Sequence, residues 1–226
     1  MQQSDLFGMA EAALRVTHRV QAWELAEDQQ ILAATIEPFA GGGNAGNVSQ
    51  GLLARFGSYR AVLTADPADL MAVFGMTFEA ANAIKIAQAS AVRLLQHDAR
   101  AETMLSTWPK LLAYLTAAMG SEPREQFRVL YLDSRNRLIA DEKMNDGTVN
   151  HVPCYPREIL RRALAVHATA MILVHNHPSG DPTPSREDIA MTREIKAAAD
   201  ALRITLHDHI IIARNRHLTL KQEGLL

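Results

Sequence analysis

Two histidines and one aspartate form the most specific chemical pattern in this sequence. His175 and His177 follow the strand-like apolar run 170–174, so their imidazoles leave the same face of the strand end. Asp188 falls in the first turn of the stretch 185–202, whose apolar spacing predicts an amphipathic helix. Two neutral nitrogens and one carboxylate oxygen give a zinc ion three protein ligands and leave its fourth position for water. The pattern therefore predicts a catalytic metal site rather than a closed structural one.

The same residues also have ordinary structural interpretations. An arbitrary His-x-His pair is usually satisfied by neighbouring backbone. Ser185 with Asp188 three residues later is a near relative of the capping box, in which the carboxylate holds an amide of the first helical turn. The two histidines on the strand that leads into this helix favour metal ligation. The single cysteine, Cys154, excludes an internal disulfide and a cysteine-based zinc site, so histidines and carboxylates must hold any metal.

Strands and helices alternate in the second half of the chain. The expected elements are strands at 127–133 and 137–143, a helix at 156–167, a strand at 170–175, a helix at 185–202, and strands at 204–213 and 217–220. Residues 134–136 indicate the turn of a hairpin between the first two strands. This alternation predicts an α/β domain, with a mixed sheet and helices packed on its faces.

The first half contains helical patterns only. Helices are expected at 9–20, 24–36, 47–56, 59–64, 67–74 and 78–96, with one more at 108–119. Residues 1–98 contain six Lys/Arg against ten Asp/Glu, a net charge of −4. The predicted organisation is an all-helical domain at 1–98 followed by an α/β domain at 103–226. The acidic balance of the helical domain argues against non-specific binding to phosphates.

Longer motifs around the metal pattern resemble a known family. His-x-His-Pro, then Ser and, three residues later, Asp is similar to the signature of JAMM (MPN-plus) zinc metalloproteases. The run His-Asn-His-Pro-Ser-Gly-Asp-Pro-Thr-Pro-Ser-Arg-Glu-Asp at 175–188 resembles the RadC family more closely. Four further motifs resemble that family as well, at 128–133, 147–150, 155–158 and 208–211. The resemblance covers 124–226 strongly and 22–95 weakly. It implies a JAB/MPN domain, a three-layer α/β sandwich similar in shape to cytidine deaminases, after a helix-hairpin-helix region.

The resemblance also implies a role for each residue of the site. One Zn²⁺ per chain would be held by His175, His177 and Asp188. The Ser185 hydroxyl would donate a hydrogen bond to the oxyanion of the tetrahedral intermediate. In JAMM enzymes the general acid/base is a glutamate in a Pro-x-Glu context before the first strand, and Glu125 stands at that place here.

Several neighbouring polar residues have more than one interpretation. Glu122 competes with Glu125 as the acid/base, and either glutamate could be only an exposed charge before a strand. His207 and His209 form a second His-x-His pair that could in principle bind metal. Strand alternation, however, puts Asp208 on the opposite face from both histidines. The resemblance implies a supporting or structural role for Asp208 and His209 behind the metal ligands.

The helical half is similar to the helix-hairpin-helix region of RadC proteins. In that family the hairpin turn usually reads Gly-Ile-Gly, whose open amides can approach a phosphate. Here the turn is Gly75-Met76-Thr77, so the second glycine is replaced. The loss of this glycine and the acidic charge favour a degenerate hairpin region whose role is packing or the docking of a partner protein. A working DNA-binding hairpin is the less favoured alternative.

The whole sequence predicts a cytosolic enzyme, because it shows neither a signal peptide nor an apolar run long enough to span a membrane. The leading hypothesis is a zinc-dependent hydrolase of the JAMM type that cleaves a peptide or isopeptide bond in a peptide or protein substrate. The alternative is a DNA-associated repair-type protein, DNA-binding or nuclease, although the charge does not support nucleic-acid binding. A scaffold with a vestigial site is the least favoured interpretation. The sequence does not indicate an oligomeric state.

Overall fold

The N-terminal part of the chain is helical wherever it is described. The computed structural model describes residues 26–40, 43–101, 108–146 and 155–226, and the chain divides into two compact units, 1–88 and 89–226. The helices of the first unit are α1 Asp28–Ile36, α2 Ala45–Phe56, α3 Tyr59–Thr64, α4 Pro67–Met71 and the first part of α5 Phe78–Ala101. They bury one apolar core around Leu32, Leu52 and Ile84. The helix predicted at 9–20 lies outside the described residues, and the predicted domain limits at 98 and 103 stay a prediction.

The turn between α4 and α5 explains why one expected helix is shorter. The helix predicted at 67–74 ends at Met71, and the chain then turns through hydrogen bonds to carbonyls three residues back. Gly75 has a φ of 84°, and a Cβ there would lie 2.9 Å from a neighbouring side chain, so this turn requires glycine. Thr77, where the resembled hairpin has its second glycine, accepts a hydrogen bond from the Ala80 amide and so caps α5.

The second unit is built on one mixed five-stranded sheet. Its strands are β1 Gln126–Leu132, β2 Leu138–Asp146, β3 Ala170–Asn176, β4 Thr205–Ala213 and β5 Arg216–Thr219, in the order β2-β1-β3-β4-β5. β3 and β4 are parallel, and the other neighbouring pairs are antiparallel. Every residue of β3, the central strand, is buried, as expected of an apolar strand that is covered on both faces.

Helices cover both faces of this sheet. The helix α6 Trp108–Met119 and part of α5 pack on one face, against one set of alternate residues of β1, β3 and β4. The helices α7 Pro156–Ala165 and α8 Arg186–Ala201 pack on the other face, against the opposite set. The unit is therefore a three-layer α/β sandwich that follows a helical region, which confirms the predicted fold class. No helix within the described ranges is long and apolar enough to cross a membrane.

Residues with a left-handed backbone mark several element ends. Asn136, with φ of 58°, lies in the hairpin turn between β1 and β2, at the place predicted from the sequence. His167, with φ of 56°, follows α7, so the helix predicted to reach residue 167 ends at Ala165. A positive φ is unfavourable for any residue other than glycine and is incompatible with a regular helix or strand, so these residues lie where an element ends.

A β-bulge in β4 decides which side chains face the site. Met171 of β3 pairs with Leu206, but the next residue of β3 pairs with Asp208, so His207 is the extra residue. The bulge reverses the alternation, and His209 therefore shares a face with Leu206. Asp208 and His209 pair with consecutive residues of β3 and so lie on opposite faces, as alternation predicted, whereas His207, the extra residue, does not follow the alternation. His207 instead contacts the Asn136 side chain through its Nε2 atom, at 2.7 Å.

Candidate metal centre

Three side chains converge at the junction of β3 and α8. His175 lies near the end of β3 and His177 just beyond it, and their Nε2 atoms are 2.9 Å apart. Asp188 extends from the first turn of α8, with its Oδ1 3.4 Å from His175 Nε2 and its Oδ2 3.8 Å from His177 Nε2. Ligand atoms from the three residues all lie within 4.8 Å of one another. The structure thus brings together the three residues that the sequence predicted as metal ligands.

The tautomer of His177 is set by a backbone carbonyl. Its Nδ1 lies 2.7 Å from the carbonyl oxygen of Asp181, and a carbonyl can only accept a hydrogen bond. Nδ1 therefore carries a proton, which in the neutral ring leaves a lone pair on Nε2. That lone pair points towards His175 Nε2 and the Asp188 carboxylate, so a proton or a metal cation is needed between these groups.

Charge and burial give the three residues different proton affinities. Burial lowers the pKa of His175 to about 4, so this ring is neutral at pH 7. The pKa of His177 is raised, mainly by its contact with Asp188, with smaller contributions from the Asp181 carbonyl and the charge of Glu125. Burial alone would raise the pKa of Asp188, but both histidines and the capping bonds hold it well below its usual range. The cluster therefore offers an ionised carboxylate and two imidazole nitrogens, of which one binds protons readily.

This donor set fits a zinc ion. Two ligands of a tetrahedral zinc with bonds of about 2.0–2.1 Å lie about 3.3 Å apart. The two Nε2 atoms are 2.9 Å apart, and the nearest carboxylate oxygen of Asp188 lies 3.4 Å from His175 Nε2, so both separations are close to that distance. Imidazole nitrogen with carboxylate oxygen is a combination that suits zinc, and three protein ligands leave one position for water or substrate.

Asp188 both caps the start of α8 and lies close to His175. The amide and the hydroxyl of Ser185 donate to Asp188 Oδ2, at 2.8 and 2.6 Å, and the Asp188 amide donates back to the Ser185 hydroxyl at 3.0 Å. These bonds form a reciprocal capping box at the start of α8. The two alternatives left open by the sequence are thus compatible, because Oδ2 caps the helix while Oδ1, 3.4 Å from His175 Nε2, takes no part in the cap. The Ser185 proton points at the carboxylate, so a bond from Ser185 to an oxyanion requires the hydroxyl to rotate.

The two candidate glutamates differ in their surroundings. β1 pairs with β3 so that Phe127 lies opposite His175, and Glu125 immediately precedes β1. The charge of Glu125 contributes to the raised pKa of His177, so the two groups are near enough to interact. The Glu122 carboxylate accepts a hydrogen bond from the Gln126 side chain at 2.7 Å. The choice between Glu125 and Glu122 as the acid/base stays a prediction.

Comparison with known proteins agrees with these observations. A family model described as the RadC-like JAB domain matches residues 105–225, which include the whole cluster. A protein of Rhodobacter capsulatus called "UPF0758 protein" is 53% identical over 175 residues, which cover 77% of this chain and 82% of that protein. The chain belongs to the RadC family. The predicted family is thereby confirmed, and the candidate metal cluster lies within its JAB domain.

Asn176 is a residue of the RadC domain that the sequence analysis missed. Its side chain is 1% exposed, and its Oδ1 accepts a hydrogen bond from the Gln126 amide at 2.8 Å. Its Nδ2 donates to the carbonyls of Arg124 and Glu122, at 3.1 and 3.4 Å. Asn176 therefore ties the segment that carries Glu125 to the end of β3. The sequence did contain an indication of this role, because a side-chain amide at the end of a buried apolar strand requires hydrogen-bond partners.

Asp208 and His209 have separate functions in the RadC domain. Asp208 Oδ1 accepts hydrogen bonds from the amides of His209 and Lys221, at 2.7 and 3.1 Å, so its role is to hold backbone. His209 is fully buried, with its Nε2 2.8 Å from His175 Nδ1 and its Nδ1 2.6 Å from the Thr192 hydroxyl. Thr192 was also missed, although it follows Asp188 by one helical turn on the same face of α8.

Proposed function

We propose that the RadC domain of this chain is a zinc-dependent hydrolase that cleaves amide bonds, peptide or isopeptide, in a peptide or protein substrate. The observation that carries the proposal is the convergence of His175 Nε2, His177 Nε2 and the Asp188 carboxylate at the end of β3. A site with this donor set and an open position is typical of a catalytic zinc rather than a structural one. When bound, zinc supplies a Lewis acid that lowers the pKa of water to about 7 and polarises a carbonyl group.

The residues around the cluster match the other needs of amide hydrolysis. Glu125 is placed to take the proton of the attacking water and to return it to the leaving amine as the C–N bond breaks. The Ser185 hydroxyl, once it rotates from Asp188 Oδ2, donates to the oxygen that gains negative charge. Asn176 holds the Glu125 segment in place through its bonds to backbone. Each task in the proposed reaction thus has a candidate residue, which supports the proposal.

A cleavage assay with two glutamate variants tests the proposal. The zinc-loaded full chain would be incubated with peptide, isopeptide and nucleic-acid libraries, together with Glu125→Gln and Glu122→Gln. We expect cleavage of amide bonds by the wild type and by Glu122→Gln. Glu125→Gln should lose a factor of about 10² to 10⁴ in rate or more, because the acid/base is removed while the ligands are untouched.

Three results would contradict parts of this function. Cleavage of nucleic acid alone would favour the DNA-associated alternative. An inactive Glu122→Gln with an active Glu125→Gln would assign the acid/base to Glu122. Full activity in both variants would place proton transfer elsewhere, and the mechanism proposed for Glu125 would fail.

A further inference from the structure

We infer that Thr192 and His209 form a buried hydrogen-bond relay that holds His175 in the one neutral tautomer able to bind metal. The relay runs from the backbone carbonyl of Asp188 to the ring of His175, and so links two of the proposed ligands. Thr192 and His209 act only through His175, which makes them positioning residues. The inference rests on the proposed metal site, but it concerns the proton positions in this chain and can be tested without any substrate.

The relay begins at a group that cannot donate a proton. The Thr192 hydroxyl lies 2.6 Å from the carbonyl oxygen of Asp188, one helical turn earlier, and the same hydroxyl lies 2.6 Å from His209 Nδ1. The carbonyl oxygen can only accept, and the hydroxyl has a single proton. The hydroxyl proton therefore belongs to the carbonyl, and the hydroxyl oxygen must accept from His209 Nδ1–H.

The proton on His209 Nδ1 decides the state of the next ring. A neutral His209 with a proton on Nδ1 has a bare Nε2, which lies 2.8 Å from His175 Nδ1. This contact is a hydrogen bond only if His175 Nδ1 carries the proton. The neutral His175 ring then has a lone pair on Nε2, the atom that faces His177 Nε2 and Asp188 Oδ1.

The reverse arrangement is disfavoured by the same contacts. If Thr192 donated to His209, the hydroxyl and the Asp188 carbonyl would face each other at 2.6 Å with no proton between the two oxygens. His209 would then donate to His175 Nδ1, and the proton of His175 would sit on Nε2. That proton would fill the 2.9 Å contact with His177 Nε2 and occupy the position needed by a metal. In the preferred arrangement the proton of that contact lies on His177 Nε2, and His175 Nε2 keeps its lone pair. The direction of the relay thus distinguishes a ligating imidazole from a blocked one.

The surroundings leave the relay little freedom. Thr192 and His209 are both fully buried, so water cannot readily replace a missing partner. The Phe127 ring is nearly parallel to that of His175, with centroids 6.4 Å apart, and makes a T-shaped contact with His209 at 5.8 Å. The bulge at His207 turns His209 to this face of the sheet. The relay thus depends on β3, β4 and α8 together.

The test compares three threonine variants of the full chain. Thr192→Val removes the hydroxyl with almost no change of shape, Thr192→Ser keeps it, and Thr219→Val removes another buried threonine hydroxyl, on β5. Two-bond ¹H–¹⁵N correlation spectra would report the tautomer of His175 in the zinc-free and zinc-loaded protein. Competition with a chelator would measure zinc affinity.

We expect His175 to carry its proton on Nδ1 in the wild type, in Thr192→Ser and in Thr219→Val. In Thr192→Val the zinc-free protein should populate the Nε2–H tautomer, and zinc affinity should fall by about 10- to 100-fold, as for other partners of metal-ligating histidines. His209→Phe, which keeps a ring but removes both nitrogens, should show the same loss of affinity, and it replaces Thr192→Val if that variant does not fold.

Two results would overturn the inference. One is a Thr192→Val protein that keeps both the Nδ1–H tautomer and wild-type zinc affinity. The other is a shift of tautomer in Thr192→Val with no change in zinc affinity, which would separate the relay from ligation. Failure of the proposed function is distinguishable, because a wild type that binds zinc but cleaves no amide bond would contradict the hydrolase alone and leave both readouts of the relay intact.

Discussion

Replacing Asn176 with alanine separates the placement of Glu125 from metal binding. The Asn176 side chain makes one bond to the buried backbone at Gln126 and donates to the carbonyls of Arg124 and Glu122. The orphaned Gln126 amide costs about 1–3 kcal/mol, whereas the carbonyl of the exposed Arg124 can turn to water. A total loss of about 2–4 kcal/mol in the free energy of unfolding corresponds to a fall of roughly 5–15 °C in Tm for a domain of this size.

The functional expectation for Asn176→Ala follows from the same contacts. The ligand atoms of His175, His177 and Asp188 are not touched, so zinc affinity should stay within about threefold of the wild type. The rate should fall by about 10²-fold, because a displacement of about 1 Å in a catalytic group has an effect of that order. Thermal unfolding followed by circular dichroism, chelator competition and amide cleavage would measure the three quantities. The matched control is Asn47→Ala, which removes an exposed side-chain bond to another asparagine and should leave all three unchanged. A variant Asn176→Ala that melts within about 2 °C of the wild type and cleaves at the same rate would refute this account.

Three further predictions concern metal and nucleic acid. His175→Ala and Asp188→Ala should each lose stoichiometric zinc by metal analysis, and full occupancy in His175→Ala would rule out this ligand set. Zinc affinity should decrease as the pH is lowered through the raised pKa of His177, because zinc must then displace the proton that Asp188 stabilises on that ring. A second competing proton should enter only near pH 4, on His175, so calorimetry in several buffers that finds two protons released at pH 6 would be inconsistent with this order. The full chain should bind duplex DNA no tighter than about 10 µM at physiological salt, because residues 1–98 carry a net charge of −4; salt-dependent, sub-micromolar binding would contradict this.

Short-range patterns were sufficient to predict the elements that hold the candidate ligands. Two histidines separated by one residue at the end of a strand must share a face, because the period of a strand is two. Ser185 three residues before Asp188 predicted the start of α8, and the structure shows the reciprocal cap. The fold class followed from the alternation of strands and helices, since each apolar strand needs helices on its faces. Metal ligation by these residues stays a prediction.

The face of His209 could not be predicted by the same reasoning. Strand alternation assumes an unbroken register, but β4 contains an extra residue at His207 relative to its parallel neighbour β3. The position of a bulge depends on how two strands distant in sequence pair with each other, and no glycine or proline in 205–213 indicates it. A one-residue error in such a register moves every later side chain to the other face. The contact between His209 and His175 is therefore a property of the sheet and not of the local sequence.

The polar residues of this site fall into two groups, those that a local sequence pattern locates and those that only the fold locates. The ligands His175 and His177 are placed by local pattern, because each can be located from the strand on which it lies. Asn176, Thr192 and His209 have functions only through partners on other elements, such as the Gln126 amide for Asn176 and the His175 ring for His209. Burial of a polar side chain predicts that a partner exists, and the hydrogen-bonding capacity of that side chain restricts the choice, but only the fold identifies the partner. A His-x-His-Pro signature can thus indicate where a metal would bind. The proton on His175 is decided by Thr192 and His209, which lie outside that signature. The position of Glu125 is decided by Asn176, which occupies the undefined position between the two histidines.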